Sequence, residues 1–383
     1  MSARKGEFHF MRFVTSVLLT VALVFTAAAA SAQRAPSRVP ATTTPEHEAI
    51  VRAGIELHDK GQFDAAIAKY QEVLAKSPTD VTAMFELAFS YMAKKDYDKS
   101  LATAREGAQF KSELLPMFYD VIASSYDSKG QPQQAIEAYK QGIALVPDAS
   151  QLYFNMAVTY RESLNKPDEA RLALEKAASI EPMHPGVQLL LGQVFQSTGY
   201  TTPAFLALST FLVLDPAGSQ ALPGYGLWRA LLKGGVDPIP SGPMSAAPVP
   251  NRAMRGTPPG TAPVAKKDEG DFSTFESRLI PTHTAFMNKL DSGTPEIQAL
   301  IAQVNELLAT LPQTPSGPAA GSFANRHYLP FFVALKQRNF VEPFVYWASQ
   351  RAPVPGVTDW LKANEPKVRE FLDWASKYSW PKS

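Results

Sequence analysis

A repeat of 34 to 35 residues constrains the fold of this chain more than any other feature of its sequence. Small residues recur at spacings of 34, 35, 34 and 35, and a large residue follows each of them three positions later. A second series of small residues keeps the same register, as do prolines that close the units and glycines within them. Self-similarity at such a period predicts stacked units, none of which buries its apolar face alone. The series are Gly54, Ala88, Ala123, Ala157 and Gly192; Leu57, Tyr91, Tyr126, Tyr160 and Phe195; Ala66, Ser100, Ala135, Ala170 and Ala204; Pro78, Pro147, Pro182 and Pro216; and Gly61, Gly130 and Gly199.

Each unit is expected to be a pair of amphipathic helices, with small residues where the helix axes approach and proline ending the second helix. The pattern resembles the tetratricopeptide repeat over about residues 46–218. This resemblance predicts an all-α protein with a helix-pair solenoid over residues 46–233. Its five repeats are expected to start near residues 47, 81, 116, 150 and 185, and an apolar capping helix is expected over about residues 219–233.

Two of the five units depart from the pattern. The second unit has Ser112 where proline is expected, Lys95 in its turn, and one extra residue near Leu115. The fourth unit carries an extra residue in the turn at 163–167. These departures predict irregular local geometry inside an otherwise regular solenoid.

The first 32 residues have the pattern of a signal peptide. Three basic residues precede an uncharged, mostly apolar stretch over 13–30, and small residues follow it. We predict cleavage between Ala32 and Gln33 and export to the periplasm or the outside of the cell, without membrane insertion of the mature chain. An uncleaved anchor is the alternative, because eighteen residues are just enough to span a bilayer. The true start codon is Met1 or Met11.

Two segments are predicted to be linkers. Residues 234–271 hold eight prolines, six glycines and no aromatic residue among 38 positions, which is typical of a disordered Pro/Gly-rich spacer. Residues 33–45 are a shorter N-terminal segment of the same kind. The long linker separates the solenoid from residues 272–383, where helical patterns return.

The C-terminal region 272–383 is predicted to be a small α-helical module with an aromatic core. Residues 323–380 hold thirteen aromatic residues in 58 positions, including four of the five tryptophans. Helices are expected over 272–290 and 295–311, and a further helix with one apolar face should begin after Asn364 as its N-cap. We identify no family for this module.

The search for catalytic chemistry gives mostly exclusions. The chain has no cysteine, so disulfides, thiolate zinc sites and thiol nucleophiles are ruled out. Phosphate-binding loops, dinucleotide fingerprints and serine elbows do not occur. We predict no catalytic, cofactor or metal site. The enzyme alternative places catalysis in the C-terminal module, with His327 joined by Glu342 and Asp359.

Charge argues against nucleic acid as a partner. Residues 47–218 carry 15 basic and 21 acidic side chains, whereas residues 219–383 carry 17 and 13. Phosphate contacts need clustered cations, and the larger region has the opposite sign. The asymmetry suggests instead that the C-terminal module docks onto the solenoid within the same chain.

The concave side of the solenoid is the predicted binding surface for a protein or peptide. In the proteins that this chain resembles, the first helix of each pair lines that side. Members of the family that capture a C-terminal carboxylate use Lys and Asn there, and the matching positions here lack that clamp. The predicted groove residues are Val51, Ile55, Phe85, Phe89, Met92, Asp120, Ser124, Asp127, Phe154, Val158, Arg161, Leu189, Gln193 and Gln196.

The groove composition suggests apolar anchoring, with polar selection by Asp120, Asp127 and Arg161. Three large apolar groups, Phe85, Phe89 and Met92, would lie on a face meant for solvent, which marks an interaction site. The alternative is that Phe85 and Phe89 pack between helices. The sequence thus predicts a non-catalytic scaffold or adaptor in the bacterial cell envelope. A structural spacer whose groove is filled by its own chain is the second alternative.

Overall fold

A computed structural model describes residues 35–234, 272–314 and 318–381. The predicted signal peptide 1–32, its cleavage site at Ala32 and Gln33, and the predicted linker 234–271 apart from Gly234 lie outside these residues. Over the described ranges, no helix has both the length and the apolar character needed to cross a membrane.

Residues 35–234 fold into helix pairs, and the all-α prediction is confirmed. Each pair is one repeat unit, and the first helices begin at residues 45, 81, 115, 150 and 185, within two residues of the predicted starts. The pairs are α1 (Pro45–Asp59) with α2 (Phe63–Lys76), α3 (Val81–Ala93) with α4 (Tyr97–Gly107), α5 (Leu115–Ser128) with α6 (Pro132–Leu145), α7 (Ser150–Glu162) with α8 (Pro167–Ile180), and α9 (Pro185–Ser197) with α10 (Thr201–Leu214), followed by α11 (Ala221–Leu232).

The two small-residue series lie where the helices of a pair cross. The five residues of the second series are 0% exposed, from Ala66 through Ala204. A Cβ placed on Gly54 would approach the Tyr70 ring to 2.4 Å, so any larger residue there would require the ring to move. Close helix approach is thus the physical cause of the repeat period.

The turn inside each unit requires a left-handed backbone at one position. Glycine supplies it in three units, at φ angles of 73°, 75° and 85°. Lys95 and Asn165 occupy the same place with φ of 68° and 51°. A side chain in this region costs backbone strain, which Asn tolerates better than Lys. The irregular second and fourth units therefore keep the turn geometry.

The irregularity of the second unit is concentrated after its second helix. Helix α4 is shorter than the other second helices, and residues 108–114 connect it to α5, whereas four residues (77–80) connect α2 to α3. This longer connection binds the N-terminal segment. The Arg38 amide donates to the Gln109 carbonyl at 3.2 Å, and the Lys111 amide donates to the Arg38 carbonyl at 2.8 Å.

The N-terminal segment is therefore not the free linker that was predicted for residues 33–45. We call residues 35–41 the arm. The Arg38 guanidinium lies 4.2 Å from the centroid of the Phe110 ring, and the Ala41 amide donates to the Thr79 carbonyl at 3.1 Å. The prediction rested on composition, and composition does not register backbone pairing with a distant loop.

The C-terminal helices form a second group. Helices α12 and α13 begin and end within two residues of the two predicted helices. Asn364 precedes α18 as expected, but its side chain makes no N-cap bond; its Nδ2 donates to the Trp360 carbonyl at 3.0 Å instead. The elements are α12 (Ser273–Asp291), α13 (Glu296–Ala309), a 3₁₀ turn (Pro318–Gly321), α14 (Phe323–His327), α15 (Leu329–Gln337), α16 (Val341–Ala348), α17 (Val357–Ala363) and α18 (Glu365–Ser376).

These helices pack against the end of the solenoid and share its core. Helix α10 is buried on almost every side, because α9, α11, α12 and α16 surround it. A helix that is apolar all round suits only such a position. At the centre, the Trp228 ring stacks on Phe205 at 5.9 Å and meets Phe344 edge-on at 6.1 Å. The C-terminal helices thus cover the last repeat unit.

The junction is mostly apolar, with a few specific polar contacts. Tyr328 Oη donates to Gln188 Oε1 at 2.6 Å, and Trp347 Nε1 donates to the Val213 carbonyl at 3.0 Å. Arg229 pairs with Glu296 at 3.2 Å. Apolar burial contributes more than one partly exposed ion pair, so the charge difference between the two regions is secondary here.

Candidate functional site

The first helices of the units, α1, α3, α5, α7 and α9, carry all the predicted groove residues, and the structure divides those residues in two. Six side chains lie in the core and present little surface to a ligand: Val51, Met92, Ser124, Asp127, Phe154 and Leu189. Eight are half-buried and remain accessible: Ile55, Phe85, Phe89, Asp120, Val158, Arg161, Gln193 and Gln196.

The core positions result from contacts between neighbouring first helices. Phe154, for example, is 6% exposed because its ring packs 5.7 Å from the His184 ring at the start of α9. Sequence register identifies the face of a helix, but it does not show how closely the next helix covers that face.

Aromatic rings meet across the first three units; three of them are half-buried, and Phe118 on α5 is fully buried. The Phe85 ring stacks on Phe89 at 6.0 Å and meets Phe118 edge-on at 6.0 Å. His58 stacks on Phe89 at 4.9 Å from the other side. We call His58, Phe85, Phe89 and Phe118 the aromatic cluster. The alternative in which Phe85 and Phe89 pack between helices is partly realised, since each ring touches neighbours while retaining exposed surface.

His58 is missing from the predicted groove residues. It occupies the register position of Met92, Asp127, Arg161 and Gln196, with spacings of 34, 35, 34 and 35. Its Nδ1 lies 2.7 Å from Ser90 Oγ, and burial lowers the pKa of its imidazole. Consistent use of the register would have found it.

Two carboxylates on the third unit form hydrogen bonds across the first helices. Asn155 Nδ2 donates to Asp120 Oδ1 at 2.6 Å. The hydroxyls of Thr159 and Ser163 donate to Asp127 at 3.2 and 2.7 Å. Burial raises the pKa of Asp120 to about 6, against the opposing effect of its hydrogen bonds to Asn155 and Tyr139.

Glu86 is a second residue that the sequence analysis missed. Burial, followed by the nearby negative charge of Asp59, raises the pKa of its carboxyl to about 7. Glu86 is one helical turn before Ser90, whose Oγ lies 2.7 Å from Nδ1 of His58 in the aromatic cluster. Its register equivalents are Arg52, Val121, Asn155 and Leu190, so periodicity does not predict a carboxylate there.

Arg161 supplies the one guanidinium among the predicted groove residues. Its Nη1 donates to Gln193 Oε1 at 2.8 Å, and its Nε lies 3.3 Å from Glu162 Oε1. Burial lowers the pKa of the Arg161 guanidinium from its usual value. The chemistry of the predicted groove therefore changes along its length: aromatic rings come first, carboxylates follow, and the last charged group is an arginine that is already bonded to neighbouring side chains.

His327 does not form the acid–base group of the enzyme alternative. It is 2% exposed and lies between the rings of Phe323 and Trp380, at 4.6 and 4.9 Å. Its Nε2 has no hydrogen-bond partner among the described residues, and burial lowers its pKa to about 3. Glu342 pairs with Lys367, and Asp359 is exposed. A buried imidazole with so low a pKa is a poor general base.

Metal ligands do not gather in the described ranges, where no group of three or more His, Asp or Glu side chains has the geometry for an ion. A separate cleft of about 520 Å³ opens beside the arm, lined among others by Arg38, Arg105, Tyr126 and Glu137. Arg105 is already hydrogen-bonded to the Tyr126 hydroxyl.

Part of the repeat region is similar to known proteins. Residues 57–110 and 128–194 match the family profile described as tetratricopeptide repeat. A curated relative, the Hsp70-Hsp90 organising protein of Plasmodium falciparum (isolate 3D7), is 29% identical over 135 residues, which cover 34% of this chain. The match spans only 22% of the length of that relative.

Solved structures with related folds have low identity to this chain. A thermophilic TPR protein of Thermus thermophilus has a TM-score of 0.39 and 20% identity, covering 49% of this chain and 98% of that one. The pilF protein of Pseudomonas aeruginosa has a TM-score of 0.39 and 15% identity, with 49% and 88% coverage. MamA (residue 41 to the end) of Desulfovibrio magneticus RS-1 has a TM-score of 0.37 and 12% identity, with 46% and 99% coverage.

Proposed function

Because residues 57–110 and 128–194 match the tetratricopeptide repeat profile, we propose that this protein is a non-catalytic scaffold that binds a protein or peptide along its first helices. The proposal includes export to the bacterial cell envelope, as a periplasmic or secreted protein. The observation that carries the binding proposal is the aromatic cluster, in which His58, Phe85 and Phe89 keep accessible surface on the face where the first helices lie side by side.

Half-buried rings on a concave face are suited to anchor a ligand. Aromatic side chains provide large apolar contact area, and binding energy concentrates on a few such residues. Stacking with His58 restrains the Phe89 ring, so little side-chain freedom would be lost on binding. The name of the curated relative, an organising protein of Hsp70 and Hsp90, also supports a role in binding other proteins.

The contacts described above between the C-terminal helices and the solenoid do not reach the aromatic cluster. The hydrogen bonds at Gln188 and Val213 and the inter-region ring contacts of Phe205 and Trp228 lie on the last unit and its capping helix, whereas the cluster lies on α1, α3 and α5. This distribution favours an external partner over a groove filled by the C-terminal module.

Export rests on the basic, apolar and small-residue succession at the N-terminus. Mass spectrometry of the protein purified from cell-envelope fractions tests it. A chain that begins at Gln33 supports export with cleavage. A chain that keeps its first 32 residues and stays in the cytoplasm would contradict the export proposal and leave the binding proposal unaffected.

Binding is tested by site-specific photocrosslinking in cells, with the photoreactive residue replacing Phe89. The matched control replaces Leu172, which is 55% exposed on the second helix α8. We expect adducts to another polypeptide from position 89 and not from position 172. Adducts only to residues 234–383 of the same chain would instead establish a self-occupied groove.

A folding control accompanies the crosslink. A Phe89→Asp variant that retains its helical circular dichroism should lose the crosslinked partner, because a carboxylate cannot occupy the apolar site. A folded variant that still captures every partner would contradict the proposal.

A further inference from the structure

Two adjacent first helices at the proposed groove carry carboxylates and no cation. Helix α3 contains Glu86, and α5 contains Asp120 and Asp127, while neither helix contains Lys or Arg. Surfaces with one sign of charge attract the opposite sign. The electrostatics of this part of the groove therefore differ from those of Arg161, one unit further along.

The lysines at the ends of these helices are held elsewhere. Lys94 pairs with Asp64 of the first unit, and Lys129 pairs with Asp98 of the second. Both acidic partners belong to second helices, on the other side of the unit. Neither lysine is thus available to neutralise the groove carboxylates.

In the part of the chain that the structure describes, Glu86 has no hydrogen-bond partner of the kind that Asn155 has at the same register position. In the seam between α5 and α7, Asn155 donates to Asp120 of the preceding first helix. In the seam between α1 and α3, Glu86 takes the place of Asn155, and the equivalent of Asp120 is the apolar Val51. Among the described residues, Glu86 forms no hydrogen bond or ion pair.

The surroundings of both carboxyls make ionisation costly in the free protein. Asp59 on α1 and Tyr70 on α2 are the titratable groups that interact with Glu86, and His58 on α1 contacts Ser90 one helical turn away. Tyr139 on α6 and Asn155 on α7 contact Asp120. None of these groups carries a positive charge at neutral pH, so a cation supplied by a ligand would relieve an existing deficit.

The carboxyls flank the aromatic cluster. Glu86 is one helical turn before Ser90, whose Oγ lies 2.7 Å from Nδ1 of His58 in the cluster. Asp120 occupies the register position of Phe85, 35 residues later, on the neighbouring first helix α5. We propose that this part of the groove binds a peptide segment that presents a large apolar side chain to the cluster and a neighbouring lysine or arginine to Glu86 and Asp120. The inference rests on the proposed function and specifies the chemistry of the partner.

Such a partner has the charge opposite to that of a C-terminal carboxylate ligand. Arginine or lysine beside an apolar anchor would form charge-assisted bonds at the rim of a desolvated contact. The ammonium or guanidinium would contribute both affinity and selection against acidic peptides.

Peptide display against the full-length protein is the first experiment. A random twelve-residue library is panned on the wild-type chain and, in parallel, on the Phe89→Asp variant. We expect wild-type-selected peptides in which Lys or Arg within two positions of an aromatic or large aliphatic residue is enriched at least threefold over the starting library, and we expect that enrichment to disappear on Phe89→Asp.

The outcomes separate the two proposals. Peptides that depend on Phe89 but carry acidic or neutral residues beside the anchor would overturn the charge inference and leave the groove function standing. Selection of the same peptides by wild-type and Phe89→Asp protein, or of none by either, would overturn both.

Affinity measurements on the most enriched peptide then identify the carboxylates. We expect Glu86→Gln and Asp120→Asn each to weaken binding about tenfold in fluorescence anisotropy, since each removes a desolvated charge contact. Glu106→Gln removes an exposed charge from the second helix α4 and should change affinity less than twofold. Equal effects of Glu86→Gln and Glu106→Gln would reduce the interaction to long-range attraction and contradict the inference.

The pH dependence supplies an independent readout. A cationic segment binds the ionised carboxyls, and both are largely protonated in the free protein at pH 5. Affinity should therefore fall from pH 8 to pH 5, and the fall should be absent in the Glu86→Gln, Asp120→Asn double variant. A fall that persists in the double variant would assign the titration to other groups and contradict the proposal.

Discussion

The two ends of the solenoid place aromatic rings and titratable groups in opposite environments. At the C-terminal end, rings from the last unit and the module enclose one another, and a histidine among them is buried and neutral. On the first two units, His58, Phe85 and Phe89 are left half-covered, and the carboxyls of Glu86 and Asp120 on α3 and α5 pair with no cation of the described ranges. Both ends hold buried titratable groups, yet only the second leaves them facing an accessible surface.

This difference predicts opposite responses to pH. His327 has a folded-state pKa below that of the unfolded chain, so its contribution to stability is present at neutral pH and lost as pH falls. Glu86 and Asp120 have folded-state pKa values above those of the unfolded chain. Their protonation therefore stabilises the fold as pH falls. We call the C-terminal end, where the rings are enclosed, the closed end, and the first three units the open end. The closed end favours stability, and the open end retains carboxyls that reduce it at neutral pH.

The largest expected effect comes from opening the closed end. Trp228→Ala removes a fully buried ring that contacts Phe205 and Phe344 and donates to Ser209 Oγ at 2.8 Å. We expect a loss of about 3–5 kcal/mol in the free energy of unfolding, measured by urea denaturation. Trp360→Ala, at a half-buried ring stacked on Tyr346, is the control and should cost less than half as much. Similar losses would mean that the junction is not tightly packed.

Removing the buried imidazole should alter the acid response. In the wild-type protein, His327 must gain a proton on unfolding at low pH, which costs about 3 kcal/mol of stability between pH 7 and pH 4. His327→Phe should remove that part of the slope in urea titrations at each pH. An unchanged slope would show that His327 is accessible to protons in the folded state.

Glu86→Gln tests the open end in the reverse direction. The substitution removes a poorly solvated charge, so we expect the free energy of unfolding at pH 8 to rise by about 1 kcal/mol, after allowance for solvent screening of a half-buried group. The gain should shrink at pH 5, where Glu86 is mostly protonated. Glu106→Gln is the control. A loss of stability at pH 8 would indicate a partner for Glu86 inside the fold.

The smallest effect concerns the arm, which closes the irregular second unit. Arg38→Ala removes the guanidinium over Phe110 and its hydrogen bond to Gln109 at 3.3 Å. We expect a loss of about 0.5–1 kcal/mol and faster hydrogen exchange at the Lys111 amide. Lys140→Ala, at an exposed site on α6, should change neither. Unaltered exchange at Lys111 would show that backbone pairing alone holds the arm.

Much of the solenoid was predictable because its determinants are local and periodic. Close approach within a helix pair demands Gly54 or its equivalents at one register position. That demand recurs with every unit, so a single sequence reveals it. The same register locates His58 and the left-handed turn position of Lys95.

Part of the candidate site was not predictable from that register. Met92 and Leu189 lie on the expected face but are covered by neighbouring helices, and Glu86 occupies a position that is uncharged in the other units except the first, where it is Arg52. Burial and missing partners depend on which side chains the next helix brings, which differs from seam to seam.

The sequence by itself determined the helix pairs, their order and the face that each first helix presents, because these follow from contacts between residues less than one repeat apart. Only the tertiary structure decided that the arm pairs with the loop at 108–114, that α10 is enclosed by the C-terminal helices, and that Glu86 lacks a cation. Those features join segments from 71 to 134 residues apart, or depend on what a neighbouring helix fails to supply. The local periodicity of the sequence reveals neither these long-range contacts nor the missing partners.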